Sequence, residues 1–186
     1  MSRQFWGESL FWATSDGTNV TNTTTETIIF PNVTIPANYM QDGRRLRLRA
    51  IGKWSTGTGP PTIIFGLRWG GVAGTLLCKT GACTLVASKS NCLWDLDIII
   101  QTRANGSSGS LYANGTARVF ADVAGTVASA TGEGLVTPLT NGGVTTPAAV
   151  TVDLTADTAL SLTATWSASS TSHIITGIDY SGESLN

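Results

Sequence analysis

Four segments of the chain alternate apolar and polar residues with a period of two, the pattern of half-buried β-strands. They are RLRLRAIGKW (residues 45–54), TIIFGLRW (62–69), WDLDIIIQTR (94–103) and ALSLTATWS (159–167). Because each segment has one apolar face, the pattern predicts sheets that bury those faces in a shared core. The residues predicted to point inward are Leu46, Leu48, Ala50 and Trp54; Ile63, Phe65, Leu67 and Trp69; Trp94, Leu96, Ile98 and Ile100; and Leu160, Leu162, Ala164 and Trp166.

Weaker strand signals lie between these segments, separated by Gly, Pro, Asn and Asp at turns. A Gly- and Thr-rich loop is predicted over residues 123–147, and no segment has a 3.6-residue period of helical length. In the last strand, Ile174, Ile178 and Tyr180 are predicted to share one face. The weaker strands are predicted over residues 27–30, 76–78, 84–87, 111–122 (with a bulge at 114–115), 149–154 and 173–180.

The succession of short strands predicts an all-β fold, a two-sheet antiparallel β-sandwich. A jelly roll is the first choice among sandwiches, and another Greek-key sandwich is the second. The sandwich is predicted to span residues 26–186. Residues 1–25 differ in composition and are predicted to form an N-terminal arm, made of an aromatic anchor and a polar connector.

The arm carries five large apolar residues close together: Phe5, Trp6, Leu10, Phe11 and Trp12. Burying them stabilises by about 8–15 kcal/mol, whereas ordering the first dozen residues costs about 12–24 kcal/mol in backbone entropy. We therefore expect the arm to dock on a surface, and the five residues are predicted partner-binding residues. The surface is that of its own sandwich, of a sister subunit or of a larger assembly.

Composition narrows the function classes. Only 12% of the 186 residues are charged, and 29 Thr and 17 Ser supply most of the polarity. The net charge of −1 gives no bulk attraction to nucleic acid or to an anionic membrane. No apolar run approaches the roughly 18 residues of a membrane span. The N-terminal residues do not read as a signal peptide, so we expect synthesis in a reducing cytoplasm, which suits an odd number of cysteines.

Three arginines, Arg45, Arg47 and Arg49, share one face of a predicted strand and are further predicted partner-binding residues. Like charges on one face repel, so the row requires anionic partners. Those partners are carboxylates of a neighbouring strand, such as Asp95 and Asp97, or an acidic surface on another chain. Nucleic acid is the third and least favoured alternative, because no aromatic residues for base stacking lie between the arginines.

No combination of residues predicts catalysis, a cofactor or a metal site. His173 is the only histidine, and no nucleophile motif surrounds it. Cys78, Cys83 and Cys92 have spacings that match no zinc site and are predicted to be small buried residues. The chain is therefore predicted not to be an enzyme.

The set of strands resembles modules of head-decoration, cement and fibre proteins of tailed bacteriophages. The resemblance rests on the order and spacing of TIPANYMQDGRRLRLRAIGKWS, TIIFGLRWGG, CLWDLDIIIQTR and ALSLTATWSASSTSHIITGIDYSGESL. It implies a jelly-roll sandwich that assembles as a homotrimer on the outer capsid surface, bridges capsomers and resists the pressure of the packaged DNA. Related modules at the ends of fibres meet host-surface glycans. The aromatic arm is not part of the resemblance.

Three functional hypotheses follow. The first is a structural virion protein on the capsid surface, a cement or decoration protein that binds the major capsid protein and stabilises the head. The alternative is a fibre or receptor-binding module that recognises host-surface carbohydrate through exposed aromatic residues; most tryptophans, however, are in phase with inward positions. The third is a sandwich-fold hydrolase or lyase, which would require a cleft with convergent titratable groups.

Overall fold

The computed structural model describes residues 7–120, 134–141 and 147–185. The regular elements in these ranges are all β-strands, and they form two antiparallel sheets. No helix in the described part of the chain could cross a membrane. The strands are β1 (Gly7–Trp12), β2 (Val20–Thr21), β3 (Thr27–Ile28), β4 (Val33–Ile35), β5 (Arg45–Ser55), β6 (Thr62–Trp69), β7 (Thr75–Lys79), β8 (Cys83–Thr84), β9 (Cys92–Ala104), β10 (Gly109–Phe120), β11 (Gly134–Leu139), β12 (Ala149–Val152), β13 (Thr158–Trp166) and β14 (Ile174–Leu185).

The larger sheet has eight strands in the order β1-β14-β5-β9-β10-β11, with β2 beside β14 and β12 beside β10. The smaller sheet has six strands in the order β3-β13-β6-β7, with β4 beside β13 and β8 beside β6. Strands β5 and β6 pair with β14 and β13, so early and late strands meet in both sheets. The predicted all-β, two-sheet antiparallel sandwich is confirmed.

The core lies between the two sheets and is built from the faces that the period-two pattern indicated. All sixteen residues predicted to point inward from the four segments are at most 6% exposed. Trp54, Trp94 and Trp166 are among the largest fully buried side chains. A large apolar side chain stabilises the fold by about 1.5–3 kcal/mol when it is buried. Because these four strands together bury sixteen inward-facing residues, they form the centre of the sandwich.

The prediction that Ile174, Ile178 and Tyr180 share one face of β14 is wrong, because Ile178 and Tyr180 lie on opposite faces. The pairing of β14 with β5 shifts register between Gly177 and Asp179, which leaves Ile178 as the extra residue of a bulge. The bulge reverses the alternation, so Ile175 and Tyr180 are buried while Ile178 is 43% exposed. The strand also continues to Leu185, five residues beyond the predicted end.

Strand β10 differs from its prediction as well. It pairs regularly with β9 through Asn114 and Gly115, and the register shift lies between Ser110 and Leu111. The predicted bulge at 114–115 is therefore wrong. Gly115 has another role, because a Cβ there would lie 2.2 Å from the backbone oxygen of Asp97. Glycine allows the two strands to approach at this point.

The predicted loop over residues 123–147 contains strand β11, which pairs with β10. Residues 123–133 and 142–146 of that loop lie outside the described ranges. The strand escaped sequence reasoning because Gly134–Leu139 is short, contains Pro138 and has no clear alternation.

Within the predicted arm, β1 is the first strand of the larger sheet and pairs with β14. Leu10 and Phe11 pack against the sandwich core of the same chain. Phe5 and Trp6 lie outside the described residues. The division of the chain into residues 1–25 and 26–186 stays a prediction. In the structure, β1 and β2 both pair with β14.

Candidate functional site

Trp12, the last residue of β1, is the one described tryptophan with a large exposed surface. It is 65% exposed, whereas Trp54, Trp69, Trp94 and Trp166 are buried. Phe11 packs inward at the preceding position, and Trp12 is paired with Ser181 of β14. The alternation of β1 therefore turns the Trp12 side chain towards solvent.

Trp12 lines a depression of about 220 Å³ between the end of β1 and the segment that follows β3. Below it, Tyr180 lies between two phenylalanine rings, 4.9 Å from Phe11 and 5.0 Å from Phe30 between ring centroids. Polar side chains lie beside the aromatic ones. We call this site the Trp12 depression; it is lined by Phe11, Trp12, Ala13, Thr14, Ser15, Phe30, Pro31, Asn32, Val33 and Tyr180.

Two rings in the floor of the Trp12 depression, those of Phe30 and Tyr180, are buried. Burial raises the pKa of Tyr180 well above its ordinary value, so its hydroxyl stays protonated. That hydroxyl has no hydrogen-bond partner among the described residues. Asn32, in contrast, is exposed and accepts a 2.7 Å hydrogen bond from Ser161 through Oδ1, which fixes its orientation.

A second depression, of about 460 Å³, lies where residues 16–19 cross the ends of β5 and β14. Its lining is mainly polar and includes Asp16, Asn19, Lys53 and Asn91. Trp54 also lines it but is buried, so this depression offers no exposed aromatic surface. The combination of an exposed aromatic ring with polar groups is found at the Trp12 depression.

The arginine row of β5 lies on the outer face of the larger sheet. Arg47 donates two hydrogen bonds to Asp97 of β9, at 2.9 Å from Nε to Oδ1 and 2.5 Å from Nη2 to Oδ2. This pairing keeps the pKa of Asp97 below its usual value. Arg45 and Arg49 are exposed and enter none of the ion pairs found in the described part of the chain.

The first of the three alternatives for the row, carboxylates on a neighbouring strand, is therefore confirmed for Arg47. A second cross-strand pair lies nearby, where Nε of Arg118 in β10 is 2.7 Å from Oδ1 of Asp95. A role of Arg45, Arg47 and Arg49 in binding a partner stays a prediction, as it does for the five residues of the arm.

Sequence reasoning missed a polar cluster on the outer face of the smaller sheet. Both carboxylate oxygens of Glu26 accept from Arg68, at 2.6 and 2.7 Å, and Thr163 donates to Glu26 at 2.6 Å. Burial raises the pKa of Glu26, but these hydrogen bonds outweigh it and hold that pKa below its usual value. Glu26 and Arg68 are 42 residues apart, and no periodic signal connects them. The cluster joins β3 to the sheet.

The groups with potential reactivity are enclosed. His173 is buried, stacks on Trp166 with ring centroids 5.5 Å apart, and accepts a 3.3 Å hydrogen bond at Nδ1 from the N–H of Gly57. Cys78, Cys83 and Cys92 are buried, and burial raises the pKa of Cys78 to about 12. In the ranges that the structure describes, no three metal-ligating side chains come together.

Comparisons with known proteins give little to build on. No family model and no curated protein matches the chain. Among solved structures, the chain is similar to the CBM2 module of the evolved Dit protein of Lactobacillus casei BL23 phage J-1. That match covers 98% of both chains with 11% sequence identity and a TM-score of 0.40. A similarity at this level assigns neither a family nor a function.

Proposed function

We propose that this chain is a non-enzymatic structural component of a tailed-bacteriophage particle, and that the Trp12 depression binds carbohydrate on the host surface. The observation that carries the proposal is the exposure of Trp12 beside oriented polar groups. A phage origin rests on the resemblance of the strand pattern to virion modules.

The lining of the Trp12 depression suits a sugar ring. A sugar has an apolar face of C–H groups, which packs on a flat aromatic ring, and a rim of hydroxyls, which needs hydrogen-bond partners. Trp12 supplies the ring, and Asn32, Ser15 and Thr14 supply side-chain donors and acceptors. The site is shallow, so one copy binds weakly. Many copies on one particle raise the avidity by about 10²–10⁴.

Two observations favour carbohydrate binding over binding to the major capsid protein. Leu10 and Phe11, two of the five predicted anchor residues, pack against this chain's own core. Arg47, the middle of the predicted arginine row, is paired with Asp97 of the same chain. Residues that already contact other residues of the same chain are less available to bind a capsid protein.

A capsid cement protein remains the second candidate, because β1 is the terminal strand of its sheet and pairs with β14 on one side. A terminal strand with a large exposed aromatic residue is a surface that another chain can join. On this hypothesis Trp12, together with Phe5 and Trp6, binds the major capsid protein on the outer capsid surface.

The test is glycan-array binding of the protein displayed in many copies on beads, with wild type, Trp12→Ala and Trp12→Phe compared. We expect binding to a defined class of glycans, a loss of at least about tenfold in Trp12→Ala, and substantial retention in Trp12→Phe because the aromatic ring remains. Val72→Ala, at another exposed apolar residue, is the matched control and should bind as wild type does.

Absence of glycan binding by the wild-type protein would overturn the carbohydrate proposal. Mixing the protein with undecorated capsids at physiological salt then tests the second candidate. Co-sedimentation that Trp12→Ala weakens would support a cement protein, and no co-sedimentation would exclude it.

A further inference from the structure

The outer face of the larger sheet carries most of the exposed large hydrophobic residues of the described chain. Six large hydrophobic residues are conspicuously exposed in the described ranges, and four of them point outward from β5, β9 and β14. Trp12 lies at the edge of the same sheet, and Val72 lies elsewhere. The four residues are Ile51, Leu93, Ile99 and Ile178, each 36–43% exposed.

Three of these residues form one diagonal patch. Ile178 is the bulge residue beside Asp179, and Asp179 is paired with Ile51 on the neighbouring strand. On the next strand, Leu93 is paired with Lys53, so Leu93 is the diagonal neighbour of Ile51. Diagonal neighbours in a sheet lie about 7–8 Å apart, within reach of large side chains. Exposed apolar residues gathered on one face in this way favour an interaction surface.

The charges around this patch form rows of alternating sign along the strands. Acidic residues point outward from β14 and β9, and basic residues point outward from β5 and β10; Arg103, near the end of β9, is the exception. Because rows of opposite sign alternate across the face, it does not favour a strongly acidic or strongly basic partner. It can instead pair with a second copy of the same face. The rows are Asp179 and Glu183 on β14; Arg45, Arg47, Arg49 and Lys53 on β5; Asp95 and Asp97 on β9; and Arg118 on β10.

We propose that the outer face of the larger sheet binds a second copy of this chain. A two-fold axis parallel to the strands and midway between β5 and β9 places each basic row opposite an acidic row of the second copy. Arg49 and Asp97 are paired across β5 and β9 in one copy, so this axis sets Arg49 opposite Asp97 of the second copy. By the same symmetry, Arg118 faces Asp179 of the second copy.

The face is large enough for a specific interface. Four strands at about 4.8 Å spacing and about 11 residues at 3.3 Å each give roughly 700 Å² per copy. Two such faces bury about 1,400 Å², within the range of specific protein–protein interfaces. By the same symmetry Ile51 faces Asp95 and Leu93 faces Lys53 of the second copy, so the apolar diagonals of the two copies lie side by side about the axis. The apolar residues supply contact area near the axis, and the charged rows supply orientation.

The experiment measures the mass of the full chain in solution by light scattering and sedimentation velocity over a range of concentrations. The test variant is Ile51→Glu combined with Ile178→Glu, and Val72→Glu is the matched control because Val72 is equally exposed outside the face. We expect the wild type to associate and the control to associate as the wild type does. The dissociation constant of the double variant should be at least about 100-fold higher than that of the wild type.

Three outcomes would overturn the inference: a wild-type monomer throughout, a double variant that still associates, or equal weakening by Val72→Glu. Urea unfolding of each variant verifies that the monomer remains folded, since all three positions are exposed. Trp12→Ala should leave the mass unchanged, so failure of this inference and failure of the carbohydrate proposal are separable.

Discussion

The outer faces of the two sheets both carry arginine–carboxylate pairs, but the chain encloses the pair on only one of them. On the smaller sheet, Arg68 and Glu26 are 22% and 25% exposed and Thr163 below them is fully buried. On the larger sheet, Arg47 and Asp97 are 37% and 31% exposed, and the exposed Ile99 is paired with Arg47 beside them.

On the smaller sheet, the segment from Glu26 to Ile35 forms the edge beside β13 and encloses the ion pair from that side. Its two short strands, β3 and β4, pair with β13, and between them Ile29 and Phe30 are buried. Glu26 and Asn32 reach over β13 to bind Thr163 and Ser161. Similar ion pairs therefore serve different purposes: where they are enclosed they fix the chain to itself, whereas on an open face they leave a patterned surface for another molecule.

The largest expected effect comes from removing Phe30, which anchors this edge segment in the core between the two sheets. Phe30→Ala should destabilise the fold by about 3–5 kcal/mol, because the ring is buried against Tyr180 and over Gly177 and its loss leaves a cavity. Urea unfolding measures the change. The matched control on the open face, Ile99→Ala, should cost at most about 1 kcal/mol. Equal costs would contradict the distinction between an edge segment anchored in the core and an open outer face.

An intermediate effect is expected at the two ion pairs. Glu26→Ala should cost about 2 kcal/mol, because Nε and Nη2 of the partly buried Arg68 lose their acceptor while Nη1 keeps its hydrogen bond to Gly74. Asp97→Ala should cost at most about 1 kcal/mol, because water replaces the lost contact of Arg47. The amide variants Glu26→Gln and Asp97→Asn serve as controls that keep the side-chain volume. A larger loss in Asp97→Ala than in Glu26→Ala would reverse the comparison.

The smallest expected effect is a difference in acid sensitivity. The pKa values of Glu26 and Asp97 are both lower in the folded protein than their usual 4.5 and 3.8. A lowered folded pKa gives stability that is fully present above the unfolded value and is lost as the pH falls through the folded value. Stability should therefore fall as the pH drops below about 4.5.

Urea midpoints between pH 7 and pH 3 measure this slope. Glu26→Gln should flatten the slope, because the group no longer releases its proton on folding, and Asp97→Asn should flatten it over a lower pH range. An unchanged slope in both variants would show that other carboxylates cause the acid sensitivity.

Sequence reasoning located the central strands because their alternation is unbroken. In β5, β6, β9 and β13, every residue assigned to the inner face is buried. The partner of Arg47 was also foreseeable, since Asp97 has the matching outward phase on another long strand. At β14 the same reasoning failed beyond Gly177, because one bulge residue reverses the phase and no local residue pattern marks it.

The candidate site was foreseeable only as a list of residues. The sequence singled out Trp12 among five apolar residues near the N-terminus, with nothing to separate it from Phe11. Pairing of β1 with β14 makes the difference, because Gly182 leaves room for the Phe11 ring while Trp12 is turned outward. Phe30 and Asn32 join the site from a different part of the chain, which no local pattern indicates.

The sequence by itself determined where the four central strands lie and which face of each is apolar, because strand geometry links alternate residues locally. Tertiary structure alone decided which strands became neighbours and which ion pair was enclosed. It also decided where a bulge changed which residues of β14 face the core. Those outcomes depend on contacts between residues far apart in the chain, such as Glu26 with Arg68 and Phe11 with Tyr180. A pattern with a period of two carries no information about such contacts.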